Sequence, residues 1–208
     1  MTRQFHGIVA AALLSSAPLA HADPVVTAEW VDASAPSYGS FGGPGFSQAR
    51  GQTFEATEEG RVVSIDLHIA RNFDHSEPLV IEVFDTGADG RPMGDPLMSQ
   101  PFPAETIPDD ISDPVTRFVF DSGAMLLAGQ TYAVVFRPQA LDPEANNYVV
   151  RGGLNENATY EGGNALRSAD GGATWIVATN ADWIFRVSVE GATPIEHASW
   201  GVIKNHYR

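Results

Sequence analysis

Apolar residues in this chain recur at every second position, in short runs broken by turn chemistry, and this pattern limits the folds open to it. In residues 61–70, Val63, Ile65, Leu67 and Ile69 fall on one side and Ser64, Asp66 and His68 on the other. A strand sends alternate side chains to opposite faces, so this spacing predicts a half-buried β-strand. In residues 78–85, Leu79, Ile81 and Val83 alternate with Val80, Glu82 and Phe84. Both sets are largely apolar, as expected of a central strand covered on two sides. Residues 115–121 set Phe118 and Phe120 against Arg117, and residues 130–137 group Tyr132, Val134 and Phe136. Residues 183–189 place Trp183, Phe185, Val187 and Val189 inward and Arg186 outward. Shorter candidates are residues 25–31, 52–56, 147–151, 164–168 and 173–177.

Turn signals separate these runs. Asp89-Gly90, Ala128-Gly129 and Asp170-Gly171 suit tight turns. Pro101, Pro103, Pro108 and Pro114 suggest a long connection, and residues 33–51, rich in Gly, Ser and Pro, suggest a long loop. Helical periodicity is nearly absent. Roughly ten short strands spaced by turns predict an all-β fold, an antiparallel sandwich of jelly-roll type. It forms a single domain over residues 23–191.

The ends of the chain differ from this body. Arg3 and His6 precede the apolar residues 7–14, and Ala20-His21-Ala22 fits a small-x-small cleavage site. That order is a secretory signal peptide, so residues 1–22 are expected to be removed and the exported protein to begin at Asp23. The apolar run is too short to span a bilayer, and no later run is longer. Residues 192–208 form a basic, aromatic tail in which Trp200, Ile203 and Tyr207 share one helical face. It reads as a sorting or docking segment, or as a short helix packed on the sandwich.

The net charge is −14, and removal of the signal, with Arg3 and no acid, makes it one unit more negative. That balance argues against nucleic acid, whose phosphates require a basic face. It contains no Cys, so no disulfide staples the domain and no thiol serves as a nucleophile.

Two resemblances follow from particular residues. Ser168-Ala169-Asp170-Gly171-Gly172-Ala173-Thr174-Trp175 matches S-x-D-x-G-x-T-W and resembles the Asp-box, a β-hairpin best known from sialidase propellers. The resemblance implies structural roles for Ser168, Asp170, Gly172 and Trp175: the carboxylate holds its own turn and the indole anchors the hairpin. A single copy in a chain this short implies no sialidase activity. Residues 48–190 are similar, in order, to the exported bacterial β-sandwich domains called choice-of-anchor domains. Gln52-Thr53-Phe54, Asp89-Gly90-Arg91-Pro92, Leu127-Ala128-Gly129-Gln130-Thr131-Tyr132 and Asp182-Trp183-Ile184-Phe185 carry that likeness. It implies a sandwich related to carbohydrate-binding jelly rolls, with no ligand common to the group. Residues 192–208 depart from it, lacking an apolar helix with basic flanks.

No catalytic constellation is visible. His68, His75, His197 and His206 lack H-E-x-x-H spacing, and no Ser lies in a G-x-S-x-G elbow. A pair of carboxylates for glycoside hydrolysis is spatial and illegible in sequence. The reading is therefore non-enzymatic: an exported or cell-surface domain for glycan binding or adhesion. Its competitors are a spacer or sorted cargo domain with no small ligand, and a carbohydrate-active hydrolase. Glycan binding needs exposed rings beside polar groups. The candidates are Tyr38, Phe41, Tyr148, Arg151, Asn155 and Tyr160, with Phe46, Phe73, Asn146, Asn147 and Asn157 nearby. No cofactor is expected other than Ca²⁺, for which the turn carboxylates Asp85 and Asp89 are candidate ligands, followed by Asp95, Asp109, Asp110 and Asp113.

Overall fold

The computed structural model describes residues 23–191, apart from 33, 44–47, 73–74, 113–114 and 142–146. The predicted signal segment, the 192–208 tail, Phe46, Phe73, Asp113 and Asn146 lie outside the described residues. Those described form an all-β sandwich of antiparallel sheets. The strands are β1 (Val25–Trp30), β2 (Ser37–Phe41), β3 (Ala49–Glu55), β4 (Gly60–Leu67), β5 (Ile69–Arg71), β6 (Leu79–Thr86), β7 (Pro92–Phe102), β8 (Thr116–Val119), β9 (Met125–Leu126), β10 (Thr131–Pro138), β11 (Tyr148–Leu154), β12 (Ala165–Ser168), β13 (Ile176–Ala178), β14 (Ala181–Trp183) and β15 (Phe185–Glu190).

One layer is a six-stranded sheet ordered β13-β12-β3-β10-β6-β7. The other layer is built from two smaller sheets, β1-β15-β4-β8 with β9 beside β4, and β14-β11-β2 with β5 beside β11. The chain passes between these two at His68, linking β4 to β5, and at Ile184, linking β14 to β15. Arg151 holds the junction: its N–H donates to His68 O, and its carbonyl accepts from Ile184 N.

A single core lies between the layers. Phe54, Tyr132, Val134 and Phe136 of the six-stranded sheet meet Ile65, Leu67, Phe185 and Val187 on one side and Phe41, Tyr148 and Val150 on the other. Phe54 packs on Phe185 at 6.1 Å between ring centroids, and Phe41 meets Phe136 edge-on at 5.4 Å. Burial of these large apolar side chains is the main source of stability.

Several sequence expectations change in the folded chain. Fifteen strands are present among the described residues rather than about ten. Residues 183–189 are not one strand: Trp183 belongs to β14 and Phe185 opens β15 in a different sheet. Val62, not Val63, enters the core next to Ile65. Between the pairs Ser64↔Ser188 and Val62↔Val189 the strand β4 carries one extra residue, and such a bulge reverses the alternation. The proline-marked connection begins only after β7, an eleven-residue edge strand that accommodates Pro92, Pro96 and Pro101. An edge strand has one side unpaired, so the N–H that proline lacks is not missed. The 33–51 loop contains β2, whose Gly39 leaves room for the Trp183 ring.

Candidate functional site

The site lies where the layers stop matching. One row crosses the inner face of the six-stranded sheet through directly paired residues: Ile81 of β6, Phe136 of β10, Arg50 of β3, Arg167 of β12 and Ile176 of β13. Ile81 and Phe136 are fully buried under the opposite layer. Arg50 and Arg167 are partly exposed, and Ile176 is 51% exposed. Facing them is β14, the last strand of its own sheet. The gap between these two edges is a cleft of about 380 Å³, whose walls include Arg50, Arg167, Ile176, Leu154, Asn180 and Trp183.

Trp183 is the wall nearest the core. Its indole lies against the backbone of β2 and β11: a Cβ on Gly39 would stand 2.6 Å from the ring, and one on Gly152 would stand 2.7 Å from it. Glycine at both positions gives the ring its berth. The Arg50 guanidinium lies over the ring at 5.0 Å from its centroid, a cation–π contact, and also donates to Ser40 O at 3.2 Å. The strand that presents Trp183 is pinned from below. Gln52 accepts from Trp183 N at 3.0 Å and donates to Asp182 Oδ1 at 3.1 Å, and Asp182 Oδ2 accepts from Tyr160 N at 3.0 Å. Burial raises the Asp182 carboxyl above its ordinary range, against the pull of these donors.

The electrostatics of the cleft contrast with the rest of the chain. Arg71, Arg91, Arg117, Arg137 and Arg186 each lie against a carboxylate. Arg50 and Arg167 face one another across paired strands with no carboxylate in ion-pair range among the described residues. Burial, reinforced by Arg167, pushes Arg50 down to about 10, which leaves it cationic at neutral pH. Arg50 Nε and Trp183 Nε1 are buried and have no hydrogen-bond partner among the described residues.

The outer side of the cleft is the hairpin of β12 and β13. Asp170 accepts from Thr174 N at 2.8 Å and Thr174 Oγ1 at 2.6 Å, and Ser168 Oγ donates to its Oδ1 at 2.7 Å. These bonds to the charged form, those from Thr174 first, hold the carboxyl down at about 2. Ser168 Oγ also accepts from Gly172 N at 2.8 Å. Gly171 and Gly172 both have positive φ, at 70° and 106°, which makes the tight turn accessible. Trp175 is buried on the outer face of the sheet with Ala49, Ala133, Val135 and Leu166.

The residues singled out in the sequence do not converge. Phe41 and Tyr148 were expected as exposed loop rings, and the structure corrects this: both are fully buried in strands and stack on one another at 5.6 Å. Their alternation is hidden in short strands rich in Gly and Ser, whose inward face is not obvious. The Tyr148 hydroxyl donates to Glu77 O, and burial raises its pKa. Tyr38 is exposed and paired with Arg151, whose guanidinium lies 6.0 Å from the ring. That pair is on the face of β2 and β11 opposite Trp183. Asn155, at a positive φ of 55°, buttresses the cleft rim, its Oδ1 accepting from Asn180 Nδ2 at 3.2 Å. Tyr160 is half-buried edge-on to Phe185, at 5.2 Å, and burial pushes its hydroxyl up to about 12. It borders a separate hollow beside Glu29, Glu55 and Thr57.

Asp85 is exposed in β6 opposite Met93, and Asp89 accepts from Arg91 N and lies 3.5 Å from the Arg91 guanidinium. Among the described residues no three His, Asp or Glu side chains come together as a metal site. No helix among them is long and apolar enough to cross a membrane.

Sequence reasoning passed over Arg50, Arg167, Ile176, Asn180 and Trp183 as ligand contacts. A weak signal existed: Arg50 is in phase with Gln52 and the inward Phe54, and Arg167 with the inward Ala165. No protein-family model and no curated protein matches the chain.

Proposed function

We propose that this chain is an exported, non-enzymatic binding domain that holds a saccharide in the cleft between β13 and β14. One observation carries the reading. Apolar surface from Ile176 and Leu154 adjoins the guanidinium groups of Arg50 and Arg167, which no carboxylate pairs among the described residues, in a hollow large enough for a sugar ring. Concave sites with apolar walls and a few converging polar groups are where small ligands bind. The cleft lining contains no Asp or Glu among the described residues, so the carboxylate pair of a glycoside hydrolase has no counterpart in it. The likeness to choice-of-anchor sandwiches, themselves related to carbohydrate-binding jelly rolls, supports the same reading. Export is proposed from the signal-like residues 1–22, and residues 192–208 are proposed to direct or dock the exported domain. N-terminal sequencing of the secreted protein is expected to begin at Asp23.

A glycan array, run with and without Ca²⁺, tests the binding role. Binding to a limited set of glycans that is lost in the Ile176→Asp variant is expected. A second reading, a spacer with no small ligand, is favoured by one observation: Phe41 and Tyr148 are core rings, which leaves Tyr38 as the exposed ring among the described candidates. An array on which no glycan is retained, with the protein folded by circular dichroism, would select the spacer.

A further inference from the structure

We infer that the ligand of this cleft is an acidic saccharide, whose carboxylate or sulfate group sits between Arg50 and Arg167. The inference rests on the saccharide reading above and adds the charge of the ligand.

The groups pointing to it are donors with no acceptor among them. A guanidinium has N–H donors and no acceptor. Arg50 and Arg167 both line the cleft and are partly exposed, so a ligand can reach their guanidinium groups. A ligand that satisfies such a set must be rich in acceptors. A carboxylate or sulfate accepts two parallel bonds from one guanidinium fork, which a single hydroxyl cannot do. The juxtaposition of charge points the same way. Like charges directly opposite on paired strands repel. Arg50 and Arg167 are directly opposite, in a chain of net charge −14 with 26 Asp and Glu, yet no acid offsets them among the described residues. An anion between the two removes the repulsion and gives each guanidinium its partner. Arg50 is held ready by its stack on Trp183 and its bond to Ser40 O, so little ordering is needed when the ligand arrives. The sugar ring carrying the acid then lies against Ile176 and Leu154.

The test uses the exported domain and a panel of uronate and sulfated oligosaccharides, each with an uncharged twin made by carboxyl reduction or desulfation. Calorimetry is expected to give at least tenfold tighter binding for a charged member than for its twin. Arg167→Gln is expected to remove that preference, and 0.5 M NaCl to weaken the charged interaction alone. The Arg167 side chain makes no hydrogen bond or ion pair among the described residues, so this variant should fold, with a melting temperature no lower than that of wild type as the control. Arg167→Lys keeps the charge without the fork and is expected to recover only part of the preference. The uronate and sulfate arms tell which acid group is preferred. Equal binding of charged and uncharged twins, or a preference that survives Arg167→Gln, overturns the inference and leaves saccharide binding standing. Retention of no member, charged or neutral, overturns both.

Discussion

Phe136 and Arg50 are direct neighbours in register on one face of one sheet, yet the first is core and the second lines an open cleft. The difference lies in the layer opposite. Above Phe136 stands Phe41 at 5.4 Å, whereas above Arg50 stands Trp183 on the last strand of its sheet, with open space beyond. The six-stranded sheet extends two strands past β3, and from β3 outward this row carries Arg50, Arg167 and the exposed Ile176 in place of buried core residues. Pleat phase therefore fixes which face a residue occupies, and the extent of the opposing layer fixes whether that face is a core or a site.

The comparison can be broken from both sides. Truncation on the closed side should have the largest effect: Phe136→Ala is expected to cost about 3–5 kcal/mol, as for other buried aromatic residues. Urea denaturation measures this, and a midpoint equal to that of wild type would remove the distinction between the halves. Trp175→Ala should come next, at about 3 kcal/mol, because its ring fills the smaller cluster on the outer face. Its cleft residues remain in place, so thermal melting should fall while any saccharide bound at saturating concentration is still bound.

Gly152→Ala sharpens the boundary itself. Its Cβ would stand 2.1 Å from Asp182 O as well as against the Trp183 ring, so β14 must shift. Overpacking of this kind costs about 1–3 kcal/mol, and near-ultraviolet circular dichroism should report the displaced indole. On the open side, Arg167→Gln should leave stability unchanged or raise it by about 0.2–0.5 kcal/mol by relieving the like-charge pair. A loss of more than 1 kcal/mol in the same urea titration would place Arg167 with the core.

The smallest effect concerns acid. Asp170 titrates at about 2 in the fold against an ordinary 3.8, so its bonds to Thr174 and Ser168 stabilise the hairpin above the higher value. That contribution is lost as pH falls through the folded value. Melting temperature between pH 4 and pH 2 should fall less steeply in Asp170→Asn than in wild type. Parallel curves would show that the turn does not depend on the charge.

Much of the scaffold was already determined by local rules in the sequence. Alternation placed Tyr132, Val134 and Phe136 together and set Arg117 against Phe118, because the side-chain period of a strand is two wherever pairing is regular. The turns at Asp89-Gly90 and Asp170-Gly171 were legible because Gly adopts the positive φ they need, 73° at Gly90 and 70° at Gly171. Tertiary structure alone decided the rest. A bulge in β4 exchanged Val63 for Val62, since an extra residue is set by the partner strand and leaves no mark in the pattern. Burial of Phe41 and Tyr148, and exposure of Arg50 and Arg167, depended on which strands lie opposite. Those strands are distant in sequence, as Arg50 and Trp183 are, and a contact between them is fixed by how the sheets stack rather than by the residues on either side.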